Sequence, residues 1–455
     1  MTRIASGTDE FLKRLGEAQQ RLDAGFARLP PSAAPALDDA AAAILDEAAE
    51  RLHDNDPYWH PLYAGQMLKP PHPIARAAYA LAMSVNPNNH ALDGGRASSG
   101  MELEAVAALA KMFGFPQHLG HLTSSGTIAN LEALWVAGQL HPDRAIAASD
   151  QAHYTHTRIS RVLGLRFVEI RTDNTARMDL DALEDALQTQ NIGTVVTTLG
   201  TTAVGAVDPL DRVLALQQRY GFRTHVDAAY GGYFTLAGNL ESEARAAFDA
   251  IPHADSLVVD PHKHGLQPYG CGCILFRDPA VGRFYKHDSP FTYFTSKDLH
   301  LGQISLECSR AGASAVALWA TQRLLPCEPG GQFASGLESG HEAALAFYRR
   351  LEADPRFATP IAAPQLDIVF WAPVAATPAD SSARAQAIFD EAHGHDLYLA
   401  LATLPARFFP HDTWPPQPAG AVVTCLRSVL MKPEHLAWLD EIWSRLSAAT
   451  QDVVA

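Results

Sequence analysis

Thr224–Gly232 reads THVDAAYGG and Asp260–Gly265 reads DPHKHG. Each begins where an apolar, β-rich run ends: Arg223–Val226 before Asp227, and Ser256–Val259 before the turn that carries Lys263. Helix-like and strand-like segments alternate around them from about Tyr58 to Leu325. Such alternation predicts an α/β fold with a mostly parallel sheet covered on both faces. In sheets of that kind ligands sit beyond the carboxyl ends of the strands. An acid and a lysine delivered to that one end are therefore the first candidates for a site.

Working outward, further strands are expected at Arg144–Ala148, Arg166–Ile170, Thr194–Leu199 and Gly272–Phe276. Helices are expected at Glu102–Met112, Ile128–Ala137, Val213–Tyr220 and Ser314–Leu324. Beyond Pro326–Gly331 the pattern becomes helix (Gly340–Asp354), strand (Leu366–Trp371), helix (Ala383–His393), two strands (Leu397–Thr403, Val422–Leu426) and a closing helix (Pro433–Thr450), a smaller α+β unit. Asp9–Glu50 reads as two helices broken at Pro30-Pro31, with Phe11, Leu15, Leu22 and Phe26 at helical spacing. A piece that short cannot bury its apolar face alone and should pack on another domain or another subunit. The expected organisation is thus a helical extension (1–57), a large domain (58–328) and a small C-terminal domain (329–455).

Composition excludes several classes. Of the 455 residues, 47% are hydrophobic, which suits a globular chain and not a disordered one. No apolar run is long enough to cross a bilayer, and the first residues are too polar for a secretory core, so a cytoplasmic place is expected. The net charge of −15 argues against nucleic acid or anionic membrane as a partner. The five cysteines are sparse, and Cys271-Gly272-Cys273 falls one residue short of a CxxC pair, so free thiols are expected and no metal.

The chemistry lies in the strand-end residues. A lysine that forms a Schiff base and an acid that keeps a pyridine nitrogen protonated are the two needs of pyridoxal phosphate. Lys263 and Asp227 supply them; taken singly, they are equally a loop lysine and a capping acid. Ala228 and Ala229 leave room for a flat ring. Ser124, Ser125, Gly126 and Thr127 open the helix at Ile128, and backbone N–H groups at a helix start form a phosphate site, although a plain cap reads the same way. His153 offers an imidazole that could stack on such a ring. Arg310 and Arg427 each offer a fork for a carboxylate or, equally, a tie between domains or subunits.

Together these residues resemble the group II pyridoxal-dependent decarboxylases, the family of aromatic amino acid, tyrosine, histidine and glutamate decarboxylases. The likeness is collinear over most of the chain. It runs through His60-Pro61 to Gln66, Asn86-Pro87-Asn88-Asn89-His90, Gly120–Asn130, His153-Tyr154, Gly200-Thr201-Thr202 with Gly205–Pro209, His225–Gly232 and Asp260–Lys263. The resemblance implies a fold type I enzyme that binds pyridoxal phosphate and works as a homodimer with shared active sites. It implies that Lys263 carries the cofactor, Asp227 meets the pyridinium and His153 stacks on the ring. Ser124, Ser125, Asp260 and His262 would serve the phosphate end, Thr202 would lie near the ring or the substrate carboxylate, and Ser309 would reach the neighbouring subunit's phosphate. Gln66, Arg310 and Arg427 would face the substrate.

Two departures stand out. The usual second glycine of the phosphate turn is Ser125, and the tryptophan that commonly follows the lysine is His264. The region Ser289–Gln303 is short where relatives have a loop that supplies a catalytic tyrosine; Tyr293 is its nearest tyrosine, and protonation of Cα is left to Tyr293, His153 or water. The expected reaction is α-decarboxylation of an L-amino acid to its amine, with an aromatic side chain favoured by Tyr63, Phe291, Tyr293 and Phe294. Another carbon–carbon lyase or an aldehyde synthase on the same scaffold is one alternative. A decarboxylase of an acidic amino acid, suggested by Gln66 and Arg310, is the other.

Overall fold

The computed structural model describes residues 8–32, 37–286 and 298–454. Seven strands make the larger sheet: β1 (Leu119–Thr123), β2 (Ala145–Ser149), β3 (Phe167–Ile170), β4 (Ile192–Thr198), β5 (Arg223–Asp227), β6 (Ser256–Val259) and β7 (Gly272–Phe276). Their order is β1-β7-β6-β5-β4-β2-β3. Strands β3, β2, β4, β5 and β6 pair in parallel, and β7 runs antiparallel to both β6 and β1. Every residue of β2, β4, β6 and β7 is buried. Helices pack on both faces, which is why these strands read as continuous apolar or small runs and not as alternating ones.

The smaller sheet holds β8 (Phe357–Ala358), β9 (Ile368–Pro373), β10 (Ala400–Pro405) and β11 (Val422–Val429), antiparallel in the order β10-β11-β9-β8. Helices Gln332–Glu352, Pro378–Gly394 and His435–Val454 belong to the same unit, and Phe347, Trp371, Ile388 and Leu446 form part of a shared core. An early segment is stitched into it. Ala64 N donates to Tyr398 O at 2.9 Å, Tyr398 N to Leu62 O at 3.0 Å, and Val429 N to Ala64 O at 2.7 Å. Leu62 and Ala64 join that core, so the chain just before the large sheet is anchored on the small one.

Several elements escape the sequence reading, among them the helices Pro73–Met83, Thr155–Val162, Leu180–Thr189 and Ser242–Asp249, strand β1 and the first half of one long helix. β1 (LGHLT) carries a glycine and a histidine, which break any strand pattern; it forms because β7 offers an antiparallel edge and because Glu132 takes buried His121, Oε2 to Nε2 at 2.9 Å. The helix Leu92–Met112 begins well before Glu102, its small residues Gly94, Gly95, Ser98 and Ser99 hiding the apolar period and its backbone breaking at Gly95. The N-terminal helices Thr8–Gly25 and Asp39–Leu52 flank the double proline as expected. The first leans on Pro73–Met83, where Arg76 lies over Phe11, 4.9 Å from the ring centroid. The second buries no residue and leaves Ile44, Leu45 and Leu52 exposed. No helix among the described residues is long and apolar enough to cross a membrane.

Candidate active site

The carboxyl ends of the parallel strands and of β1 surround a cleft of about 260 Å³. Ser125, Gly126 and Thr127 reach it from the turn after β1, His153 and Tyr154 from the loop after β2, Thr198, Gly200 and Thr202 from β4 and its turn, Asp227, Ala229 and Tyr230 from β5, and Asp260, His262 and Lys263 from the turn after β6. Adjacent parallel strands deliver their ends to one level, so residues far apart in sequence meet here.

Asp227 is buried and ringed by donors. His156 Nε2 lies 2.8 Å from Oδ2, Ala229 N 3.1 Å from Oδ1, and Asn130 Nδ2 3.4 Å from Oδ2. Burial pushes its pKa up, but the His156 hydrogen bond and charge, with the Lys263 charge behind them, outweigh that and hold the carboxyl well below its usual range. The shell continues outward. Since Asn130 donates to Asp227, its Oδ1 accepts from His225 Nε2 at 2.9 Å, and His225 Nδ1 accepts from Ser256 Oγ at 2.9 Å. His225 is neutral in this arrangement, because burial lowers its pKa to about 3. The result is an ionised acid, held in place and available to a cationic N–H.

Lys263 Nζ stands 3.1 Å from Asp260 Oδ2 on the same turn. His262 donates from Nδ1 to Cys271 O at 2.8 Å, which leaves Nε2 3.5 Å from Asp260. Asp260 is acceptor-only when ionised, and both these neighbours face it. Its geometry therefore suits steering Lys263 and His262 rather than touching a phosphate. His153 takes Thr155 N on Nδ1 at 3.2 Å, so its hydrogen sits on Nε2. Burial lowers its pKa and keeps the ring neutral.

These residues fit pyridoxal phosphate. Asp260 Oδ1 and Thr198 Oγ1 are buried without a hydrogen-bond partner, so the cleft keeps polar valences open. The helix Gly126–Leu140 points its first turn into it, where backbone N–H groups lack intrahelical acceptors. Ser125 caps that helix, its Oγ accepting from Ile128 N at 3.4 Å. A side chain at Gly126 would put a Cβ 2.6 Å from Asp260 Oδ2, so glycine brings the helix end against the lysine turn. Gly200 has φ +98, and a Cβ there would lie 2.9 Å from Gly231 N; glycine lets the turn after β4 close over β5.

Several expected contributors stand elsewhere. Arg310 is buried away from the cleft, paired with Glu102 at 2.8 Å and donating to Leu122 O at 2.6 Å. It pins the chain before helix Gly312–Leu324 to β1 and does not line the cleft. Arg427 is buried too, and donates to Ala203 O and Thr202 O at 2.7 Å each, Gln66 Oε1 at 3.3 Å and Gly65 O at 3.4 Å. Its fork is spent on tying β11 to the Thr202 turn and to the segment at Gln66, a scaffold role behind the cleft. Ser124 is exposed, and its N–H is given to Glu307 Oε2 at 2.8 Å. Ser309, expected to reach a neighbouring subunit's site and not this cleft, is exposed beside Asn88, whose Nδ2 lies 3.4 Å from its Oγ. Tyr293, Phe291 and Phe294 lie outside the described residues. His156, Asn130 and His225 were not singled out as site residues. His225 had a signal, since it stands two residues before Asp227 on the same side of β5; His156 and Asn130 had none, for their partner is far away in sequence.

A strand-end cleft with a lysine, an ionised acid and a helix start marks an α/β enzyme of the pyridoxal phosphate class. The chain matches the pyridoxal-dependent decarboxylase conserved domain over residues 25–373, and it belongs to that family. It is 29% identical over 411 residues to the L-tyrosine decarboxylase of Enterococcus faecium, covering 68% of this chain and 67% of that protein. It is 31% identical over 264 residues to a probable L-tyrosine/L-aspartate decarboxylase of Methanothermobacter thermautotrophicus, covering 57% of this chain and 70% of the other. Its fold is that of mouse CSAD, with TM-score 0.79 at 22% identity over 96% of this chain and 92% of that one. The architecture is fold type I, and pyridoxal phosphate is the cofactor.

Proposed function

We propose that this chain decarboxylates an L-amino acid at Cα, releasing CO2 and the amine, and that its substrate has an aromatic side chain. The observation that carries the reading is Asp227, kept ionised by His156 inside the cleft that holds Lys263. When bound, the cofactor supplies the sink for the electron pair released as the Cα–carboxylate bond breaks. Asp227 presents a fixed negative charge to a protonated ring nitrogen and favours that electron flow. Lys263 supplies the amine that attaches the cofactor and gives way to the substrate amine. The neutral ring of His153 would stack on the cofactor, with its Nε2–H free to donate a hydrogen bond. Thr127 and Ser125 serve the phosphate with the helix start. Thr202, whose carbonyl is held by Arg427, lines the side where the substrate enters.

The aromatic assignment rests on the tyrosine decarboxylase relatives and on how the arginines are used. Arg427, which could answer a second carboxylate, spends its fork on backbone carbonyls and Gln66, and Arg310 is paired with Glu102 through Nη1 away from the cleft. We further propose that the chain works as a cytoplasmic homodimer, with the exposed apolar positions of residues 8–57 covered by the partner, and that it is organised as 1–57, 58–328 and 329–455. The deciding experiment incubates the purified holoenzyme with each common amino acid, traps CO2 and identifies the second product. Tyrosine or another aromatic amino acid should give CO2 and amine in equal amounts. Aldehyde with ammonia would replace the decarboxylase reading by an oxidative one, and aspartate as the preferred substrate would replace the aromatic reading.

A further inference from the structure

A second cavity, of about 360 Å³, lies behind Lys263 and shares no lining residue with the cleft; Lys69, His264, Phe333, Asp367, Met431 and Lys432 line it. Its polar side is unfinished. Asp367 Oδ2 and both ring nitrogens of His264 are buried without a hydrogen-bond partner, although Oδ2 and Nε2 are 3.3 Å apart. Lys69 Nζ donates to Met431 O at 3.3 Å and Lys432 Nζ to Tyr63 O at 2.6 Å, and neither is ion-paired with a carboxylate among the described residues. An ammonium has three hydrogens to give, so each lysine has donors to spare. Two ammonium groups in one half-enclosed space are costly; the carboxylates that share it, Asp367 and Glu434, ease that cost from a distance, with no ion pair to either lysine among the described residues. Burial pulls Lys69 down to about 8 and Lys432 to about 7, with Lys69 adding to the latter shift, while burial raises Asp367 to about 6. Leu266, Leu325, Phe333 and Leu337 give the cavity an apolar side, next to the polar His72, Gln332 and Glu434.

We propose that this cavity is a second ligand site for a small carboxylic acid with an apolar body, its carboxylate held by Lys69 and Lys432 and its body by the Phe333 wall. The site is next to the chemistry. His264 follows Lys263 in the chain, and Asp367 Oδ1 accepts from Tyr230 OH at 2.5 Å, with Tyr230 lining the cleft. His264 lines it at the position where a larger tryptophan is common in the family.

The inference does not depend on the reaction proposed above, and its test reads binding. Calorimetric titration of the holoenzyme with 3-phenylpropanoate should show a site that a saturating amino acid substrate does not displace. Lys69→Met should weaken that binding about tenfold, as expected for loss of one charge-assisted hydrogen bond, while the visible absorbance of the bound cofactor stays as in the parent. Lys69→Gln, which keeps a donor and loses the charge, serves if the first variant does not fold, with the same expected weakening. Equal affinity in parent and variant would overturn the proposal, as would full displacement by substrate. Inorganic phosphate binding as tightly as the carboxylate would overturn the assigned ligand class.

Discussion

A buried carboxylate surrounded by donors is the residue on which the site turns, and it sets three expectations. Replacing Asp227 with alanine should leave the cofactor bound and cut turnover about a hundredfold or more, the scale lost with a single preorganised electrostatic group; full turnover would sink the assignment. Lys263→Ala should abolish the visible absorbance of the attached cofactor, and an unchanged spectrum would refute the lysine's role. The third concerns pH. Asp227's folded pKa is depressed, so its contribution is complete above the unfolded carboxylate value of about 4 and is lost as pH falls through the folded value. His156→Phe removes the main group holding that value down and should move the acid limb of turnover to higher pH. Superimposable pH–rate profiles of parent and variant would show that His156 does not hold the charge. Asp227 and Lys263 were legible as types at strand ends; His156 was not, because a histidine 71 positions away becomes a partner only once β5 and the helix after β2 are packed together.

At the scale of elements, the helix Gly126–Leu140 acts through its first turn, and that turn depends on Gly126 lying against Asp260. Gly126→Ala should push Asp260 away, loosen its contact with Lys263 and weaken cofactor affinity about tenfold, the size of one charge-assisted hydrogen bond; fluorescence titration of apoenzyme with cofactor reads it, and unchanged affinity would refute the close approach. The strands that hold this helix were readable where both faces are covered, since β4, β6 and β7 are runs of valine, isoleucine, leucine and small residues. β1 was not, because its stability comes from pairing with β7 and from the buried His121–Glu132 contact and not from local propensity. Arginines at element ends were the least readable. Arg310 and Arg427 look alike as sequence, and only packing decides that both are spent on scaffold contacts.

For the whole molecule, the unfinished surface is at the start of the chain. Leu12, Ile44, Leu45 and Leu52 are exposed on two helices, with Phe26 exposed just past the first, and the second helix buries nothing. Exposed apolar positions repeated along a helix call for a cover. Removing residues 1–57 should shift the protein from dimer to monomer in sedimentation velocity and leave the fold of the two sheets intact by circular dichroism. A truncated chain that sediments as the parent does would place the dimer contact elsewhere.

The string of residues was enough for the layered α/β fold, the order of its main strands and helices, the cofactor's lysine and acid as candidates, and the family. All of these follow from local patterns, periodicity and motifs in collinear order. The tertiary structure alone decided which polar groups meet. It set His156 and Asn130 on Asp227, paired Arg310 with Glu102 and Arg427 with backbone carbonyls, turned Asp260 towards Lys263, and left two lysines facing a cavity behind the cleft. Hydrogen bonds and ion pairs act over about 3 Å, and no pattern in the chain records which distant segments the fold brings that close.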